Sequence, residues 1–318
     1  MPTHTNAADG SAVTAVDRLI DRIRRIGSAC VVGLDPNLAL MQGVLPVPGG
    51  PSTDPAACAD RITDFNRLVI DAVHDLAAAV KPQSAYYEVY GEHGIRALRE
   101  TVAYARAKGL PVIMDAKRND IGETARAYAR AYLGSEHGPS PLDADFLTVT
   151  PYLGMDGVAP FIDACRAYGK GIFVLVKTSN PGSADLQDVR CEGVPMYERV
   201  AGLLAPQADA LVGASGYSAI GAVVGGTFPD AAAAIRGILP RSLFLVPGYG
   251  AQGAGADQLS PFFNSDGLGA LVSASRSILY PPADRVADLG AEGAIRAAAV
   301  QMVEDVRQIA SSRPTASH

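Results

Sequence analysis

Cysteine is scarce in this chain, with four in 318 residues. Cys30, Cys58, Cys165 and Cys191 form no C-x-x-C pair and stand in no Cys/His cluster of zinc-site spacing. They read as free thiols, which places the protein in a reducing compartment, the cytoplasm. Positive charge is not in excess either. A formal net charge of −6 argues against a general binder of nucleic acid or of anionic membranes, although a phosphate-bearing small molecule needs only one well-placed Arg. No apolar run reaches the length of a membrane span, and the polar stretch from Met1 to Ala12 holds no signal-peptide core. No shift in composition divides the chain. With 48% hydrophobic residues there is material for a sizeable core. We expect one domain over residues 12–311, with disordered tails at 1–11 and 312–318.

What is present collects in Val112-Ile-Met-Asp-Ala-Lys-Arg-Asn-Asp-Ile-Gly-Glu-Thr124. It begins after Gly109 and Pro111 as the apolar run of a buried strand. Strand alternation puts Asp115 and Lys117 on one face of the pleat, and Asp120 follows where the strand gives way to a loop. Charges at the end of a buried strand are costly unless they pair or do chemistry. The plainer alternative is a structural ion-pair cluster.

Around this stretch the chain alternates. Short apolar strands are expected at 29–34, 78–81, the stretch just described, 145–150, 171–176, 209–212, 243–246 and 268–272. Helical patterns lie between them, including residues 217–224. An amphipathic helix at 13–26 precedes the series and a helix at 293–309 closes it. Residues 183–194 form a polar excursion without an assigned role. Eight strand–helix units predict an α/β fold, a single (β/α)8 TIM barrel, a type of roughly 250 residues. A doubly wound open sheet is the competing architecture.

Ligands of such barrels sit at the carboxyl ends of the strands. Asp35, Lys81, Asp115, Lys117, Ser179, Gln252 and Arg276 all fall there. The glycine-rich Pro247-Gly-Tyr-Gly-Ala-Gln-Gly253 after the seventh strand and Arg276 after the eighth together predict a phosphate site, and the former has the make-up of a mobile lid.

Asp115-Ala-Lys-Arg-Asn-Asp120 resembles the D-x-K-x-x-D signature of the orotidine 5′-phosphate decarboxylases. The likeness continues through Gly33-Leu-Asp-Pro36, Lys81-Pro-Gln83, Thr178-Ser-Asn-Pro-Gly182, Pro247-Gly-Tyr-Gly-Ala-Gln-Gly253 and Arg276-Ser-Ile278. The Lys-Pro-Gln context and long loops look like the longer-chain, type 2 branch. Asn119 stands where the pattern carries Gly, and Ala254 where it carries the second Gly of a pair.

The resemblance implies decarboxylation of orotidine 5′-phosphate to UMP and CO2, the last step of pyrimidine synthesis, without metal or organic cofactor. It implies that Lys117 offsets the negative charge developing at carbon 6 of the pyrimidine and then donates a proton. Lys117 would work within an alternating array of Lys81, Asp115, Lys117 and Asp120, with Asp115 beside the departing carboxylate. Asp120 would enter the neighbouring subunit's site, making a homodimer the working unit, and Thr124 falls at that shared interface. Asp35 and Lys81 would contact the ribose hydroxyls, and Ser179 would read the pyrimidine amide edge. Pro247 joins the substrate-binding set, and Gln252 and Arg276 would grip the phosphate. Two rivals stand beside this reading. One is a metal-dependent phosphosugar decarboxylase of the same superfamily, whose acidic residues hold magnesium. The other is a barrel that binds a phosphorylated metabolite without turning it over.

Overall fold

A computed structural model describes residues 13–47, 50, 52–248 and 256–311. The expected tails, Gln252 and Ala254 lie outside the described residues. In chain order the strands are β1 (Cys30–Leu34), β2 (Ala79–Pro82), β3 (Ile113–Arg118), β4 (Phe146–Val149), β5 (Gly171–Lys177), the short β6 (Arg190–Cys191) and β7 (Val194–Pro195), β8 (Ser218–Val224), β9 (Ser242–Pro247) and β10 (Ala270–Ala274). All but β6 and β7 belong to one eight-stranded parallel sheet in the order β2-β1-β10-β9-β8-β5-β4-β3. Parallel bridges Val80–Val112 and Gln83–Asp115 bring the two ends of that order together. The sheet therefore curls on itself into the (β/α)8 barrel that the strand count predicts. Covered by helices outside and side chains inside, its strands are buried on both faces and read as near-continuous apolar runs.

Local signals set the helix ends. Helix Pro55–Val73 starts with Asp54 accepting from Ala57 N at 3.1 Å and with Pro in its first turn. Helix Ala15–Ile26 has a Thr14/Asp17 capping box and stops at left-handed Gly27. This first helix plugs the amino-terminal end of the barrel. Its Asp17 accepts from Ser215 N, and its Arg22 donates to the carbonyls of Ala77 and Gly109, all in segments that lead into strands. The opposite, carboxyl-terminal end is left for a site. The last helix, Ala283–Ser311, is longer than the expected 293–309 and kinks at Gly290.

The sixth barrel strand is not where the apolar pattern puts it. Residues 209 and 210 end the helix Met196–Ala210, and the strand is Ser218–Val224, which the pattern assigns to helix. Its alanines, Ala219 and Ala222, favour a helix in isolation, yet the small size of the segment's side chains answers to crowding. A Cβ on Gly221 would lie 2.5 Å from the ring of Phe173, which in turn packs against Phe146 with centroids 5.4 Å apart. Bulky interior side chains of β4 and β5 thus require small ones on β8.

Candidate active site

At the carboxyl end of β3, three charges form a chain. Asp115 Oδ2 receives Lys81 Nζ at 2.6 Å and Asp115 Oδ1 receives Lys117 Nζ at 2.6 Å. The Lys81 and Asp115 side chains are 8% and 10% exposed, so this is a desolvated pair, whereas Lys117 is 46% exposed and reaches the opening. Burial by itself would raise the Asp115 carboxyl. The two ammonium groups outweigh it and hold the carboxyl down, from 3.8 to about 2. Burial likewise opposes charge on Lys81, but Asp115 and then Asp35 turn the balance and raise it. At neutral pH Asp115 and Lys81 are therefore an ionised pair.

Simple alternation does not join Asp115 to Lys117. The β3–β4 register slips between Met114 and Arg118, and Lys117 has φ +48°. That left-handed conformation costs a non-glycine residue about 1–2 kcal/mol, and such strain persists where the surroundings enforce it. Thr148 on β4 does so: its Oγ1 accepts from Ala116 N at 3.0 Å and Lys117 N at 2.9 Å, and donates to Asp115 Oδ1 at 3.1 Å. One hydroxyl thus holds both the bulge and the carboxylate. Asn119, in place of the pattern's Gly, is not a left-handed residue, so it brings no backbone strain.

Lys81 and Asp35 open onto a cavity of about 340 Å³ whose wall includes Pro247, Gly248, Arg276 and Tyr280. Asp35 Oδ1 is buried without a hydrogen-bond partner among the described residues. The backbone on either side of it is tied down by Tyr280, whose hydroxyl donates to Asp35 O at 2.8 Å and accepts from Asn37 N at 2.7 Å. Burial pushes that hydroxyl up to about 12, so it stays a donor at neutral pH. The Tyr280 ring stacks on Phe65 at 5.9 Å. Arg276, four residues upstream, is exposed at the cavity.

The structure thus brings together Asp35, Lys81, Asp115 and Lys117, with Pro247 and Arg276 on the same cavity as Asp35 and Lys81. It leaves others apart. Asp120 is half-buried on the loop after β3, its Oδ1 accepting from Ile121 N at 2.8 Å, and it is not joined to the Lys81–Asp115–Lys117 chain. Thr124 is exposed on the following helix, and Ser179 is half-buried past the end of β5. Sequence reasoning missed Thr148 and Tyr280. A hydroxyl inside the apolar run Phe-Leu-Thr-Val was a usable signal for Thr148, and nothing local marked Tyr280. Among the described residues no group of three or more His, Cys, Asp or Glu side chains is placed to hold a metal ion, and no helix is long and apolar enough to cross a membrane.

Residues 31–289 match the family model described as the orotidine 5′-phosphate decarboxylase / HUMPS family. The chain is 42% identical over 304 residues to an orotidine 5′-phosphate decarboxylase of Rhodopirellula baltica, spanning 93% of this chain and 99% of that one. It is 42% identical over 281 residues to the enzyme of the same name from Deinococcus radiodurans, covering 88% and 92%. Among solved structures, Leishmania donovani OMP decarboxylase superposes with a TM-score of 0.74 at 33% identity, covering 94% of this chain and 100% of that one.

Proposed function

Because the chain belongs to the orotidine 5′-phosphate decarboxylase / HUMPS family, we propose that the Lys81–Asp115–Lys117 array is the centre of its chemistry. The protein is a carboxy-lyase that converts orotidine 5′-phosphate to UMP and CO2 in pyrimidine synthesis. The obstacle is a carbanion at carbon 6, which the pyrimidine ring delocalises poorly. In our reading the Lys117 ammonium lies beside that carbon, offsets the developing charge and donates the proton that takes the place of CO2. Asp115 aims Lys117 from one oxygen and is held by Lys81 through the other, so the charges are in place before the substrate arrives. Asp115 borders the departing carboxylate.

The rest of the nucleotide has partners to match. Asp35 Oδ1, buried and without a partner among the described residues, is an acceptor suited to a ribose hydroxyl, with Lys81 beside it. Arg276 takes the phosphate as a charge-assisted partner, Ser179 takes the pyrimidine edge, and Pro247 borders the nucleotide. Gln252 completes the phosphate grip from the stretch between Pro247 and Ala256. Binding energy from the remote phosphate is then used at the reacting carbon. We further propose a homodimer in which Asp120 serves the neighbouring site and Thr124 lies at the shared surface. Exposed apolar side chains Ile121, Tyr152 and Leu153 support a covered face there. A Cβ on Gly157 would meet Asp120 O at 3.0 Å and Leu153 Cβ at 3.4 Å, so Asp120 and this apolar group are neighbours. Four free thiols suit a cytoplasmic enzyme, which cell fractionation tests.

The observation that carries a cofactor-independent reaction is the occupancy of Asp115. Each of its oxygens lies 2.6 Å from an ammonium nitrogen, so a magnesium ion could bind it only by displacing a lysine. We expect loss of orotidine 5′-phosphate absorbance to proceed at an undiminished rate in EDTA. A requirement for added metal would move the assignment to the phosphosugar rival, and tight UMP binding without turnover would move it to the non-catalytic one.

Arg276→Ala tests the phosphate contact separately. Arg276 is exposed, so its removal leaves the fold intact. Losing one charge-assisted partner worth about 1.5–3 kcal/mol raises KM roughly 10- to 100-fold. The parent should also discriminate strongly against the phosphate-free nucleoside. Equal reaction of that nucleoside with parent and variant, at the rate of the nucleotide, would remove Arg276 from this role.

A further inference from the structure

The excursion that includes residues 183–194 is fastened to the end of β5 by a buried cation. Lys177 is the last residue of β5 and its side chain is 2% exposed. Its Nζ donates to Asp188 Oδ1 at 2.6 Å and to Ser183 Oγ at 3.2 Å. It also lies 4.4 Å from the ring centroid of Phe228, in the turn after β8. One residue further on, the Gln187 amide grips Thr178 twice. Its Oε1 accepts from Thr178 N at 2.8 Å and its Nε2 donates to Thr178 Oγ1 at 2.8 Å. Ser179 comes next and is wedged against Gly225, where a Cβ would lie 2.9 Å from Ser179 Cα. Gly225 N donates to Lys177 O at 2.7 Å. The backbone through 177–179 is held by the excursion on one side and by the end of β8 on the other.

Burying the Lys177 ammonium is a poor device for stability, because an apolar side chain at the end of β5 would avoid desolvating it, and its partner Asp188 is itself 45% exposed. What such a pair can do is select one arrangement of the chain over its alternatives. We propose that the excursion is a positioning device: Lys177, through Asp188, together with Gln187 on Thr178, sets the place of Ser179 and so the enzyme's selectivity for the base of the nucleotide. The inference rests on the reading of Ser179 as the base contact, and it gives the excursion a role that its sequence did not disclose.

The test is calorimetric titration of the full-length protein with UMP and with ribose 5-phosphate, which engages the ribose and phosphate contacts alone. Ser179→Ala, Gln187→Ala and Lys177→Met are compared with the parent. Each variant is expected to lose roughly tenfold in UMP affinity, equivalent to about 1.4 kcal/mol, while ribose 5-phosphate affinity stays within about twofold. In turnover the loss should fall on KM more than on kcat. If Ser179→Ala retains full UMP affinity, the base contact itself is misassigned and the inference falls with it. If Ser179→Ala loses UMP affinity but Gln187→Ala keeps it, the base contact stands and the positioning role is overturned. Equal weakening of both ligands in Gln187→Ala marks a general structural role and also overturns it. Should Lys177→Met fail to fold, Gln187→Ala decides alone, since Gln187 is half-buried and carries no charge.

Discussion

Lys117→Ala is expected to lower turnover on the order of 10⁴-fold or more, the combined worth of a proton donor and of a charge aimed at the developing carbanion, while leaving a folded protein. The fold should tolerate the change because the Lys117 side chain is 46% exposed, and Asp115 keeps its second partner in Lys81. Backbone strain can be separated from chemistry at the same position. Both Lys and Ala bear the cost of φ +48°, whereas Gly does not. Lys117→Gly should therefore be as inactive as Lys117→Ala yet more stable than it by about 1 kcal/mol, despite the looser unfolded chain. Absorbance assays and thermal melts on the two variants read both effects, and a near-normal rate in either would remove Lys117 from the reaction. The proposed dimer adds a sharper readout. Mixing inactive Lys117→Ala with inactive Asp120→Ala creates hybrids in which one site has its own Lys117 and the partner's Asp120 intact. Random reassortment then restores about one quarter of the parent rate. No recovery, with subunit exchange demonstrated, would show that Asp120 is not shared.

The strained lysine also marks the boundary of what could be read from sequence. Asp115, Lys117 and Lys81 were legible because ionic groups at the ends of apolar strands are costly without partners. The eightfold strand–helix alternation was legible for the same reason that parallel strands are long apolar runs. The positioning of those groups was not. Alternation put Asp115 and Lys117 on one face, but the structure joins them through a register slip, a left-handed residue and the hydroxyl of Thr148 on the next strand. Tyr280 braces Asp35 across 245 residues of chain, and no local pattern reports such a contact. The sixth strand was misplaced because the segment's alanines favour a helix in isolation, while the requirement for small residues there, as at Gly221 against Phe173, is set by a neighbour's ring. What was lost in each case is information held by the partner element rather than by the segment itself.

Asp115→Asn is expected to damage both activity and stability, and the pH dependence of the second effect identifies its cause. The substitution keeps the shape of the side chain but leaves the buried Lys81 ammonium, 8% exposed, without its strong partner. Removing one member of a buried pair costs about 3–5 kcal/mol, which for a chain of this size lowers Tm by roughly 10 °C. Because the two ammonium groups hold the folded carboxyl down to about 2 from 3.8, its ionisation favours the fold by roughly 2 kcal/mol at neutral pH. For a depressed carboxyl that contribution is fully present above the unfolded value and is lost as pH falls through the folded one. The stability gap between parent and Asp115→Asn should therefore be constant from about pH 7 to pH 5 and should narrow between about pH 4 and pH 2. Urea denaturation at a series of pH values measures it, and a gap that stays constant down to pH 3 would contradict the charge-based account. A double change, Lys81→Met with Asp115→Leu, separates fold from chemistry. Replacing a buried ion pair by apolar side chains of similar volume is often neutral or stabilising, so the double variant should regain the stability that Asp115→Asn loses and remain inactive. Recovery of the fold without the reaction would mean that this buried pair is kept for catalysis, at a cost the barrel could otherwise avoid.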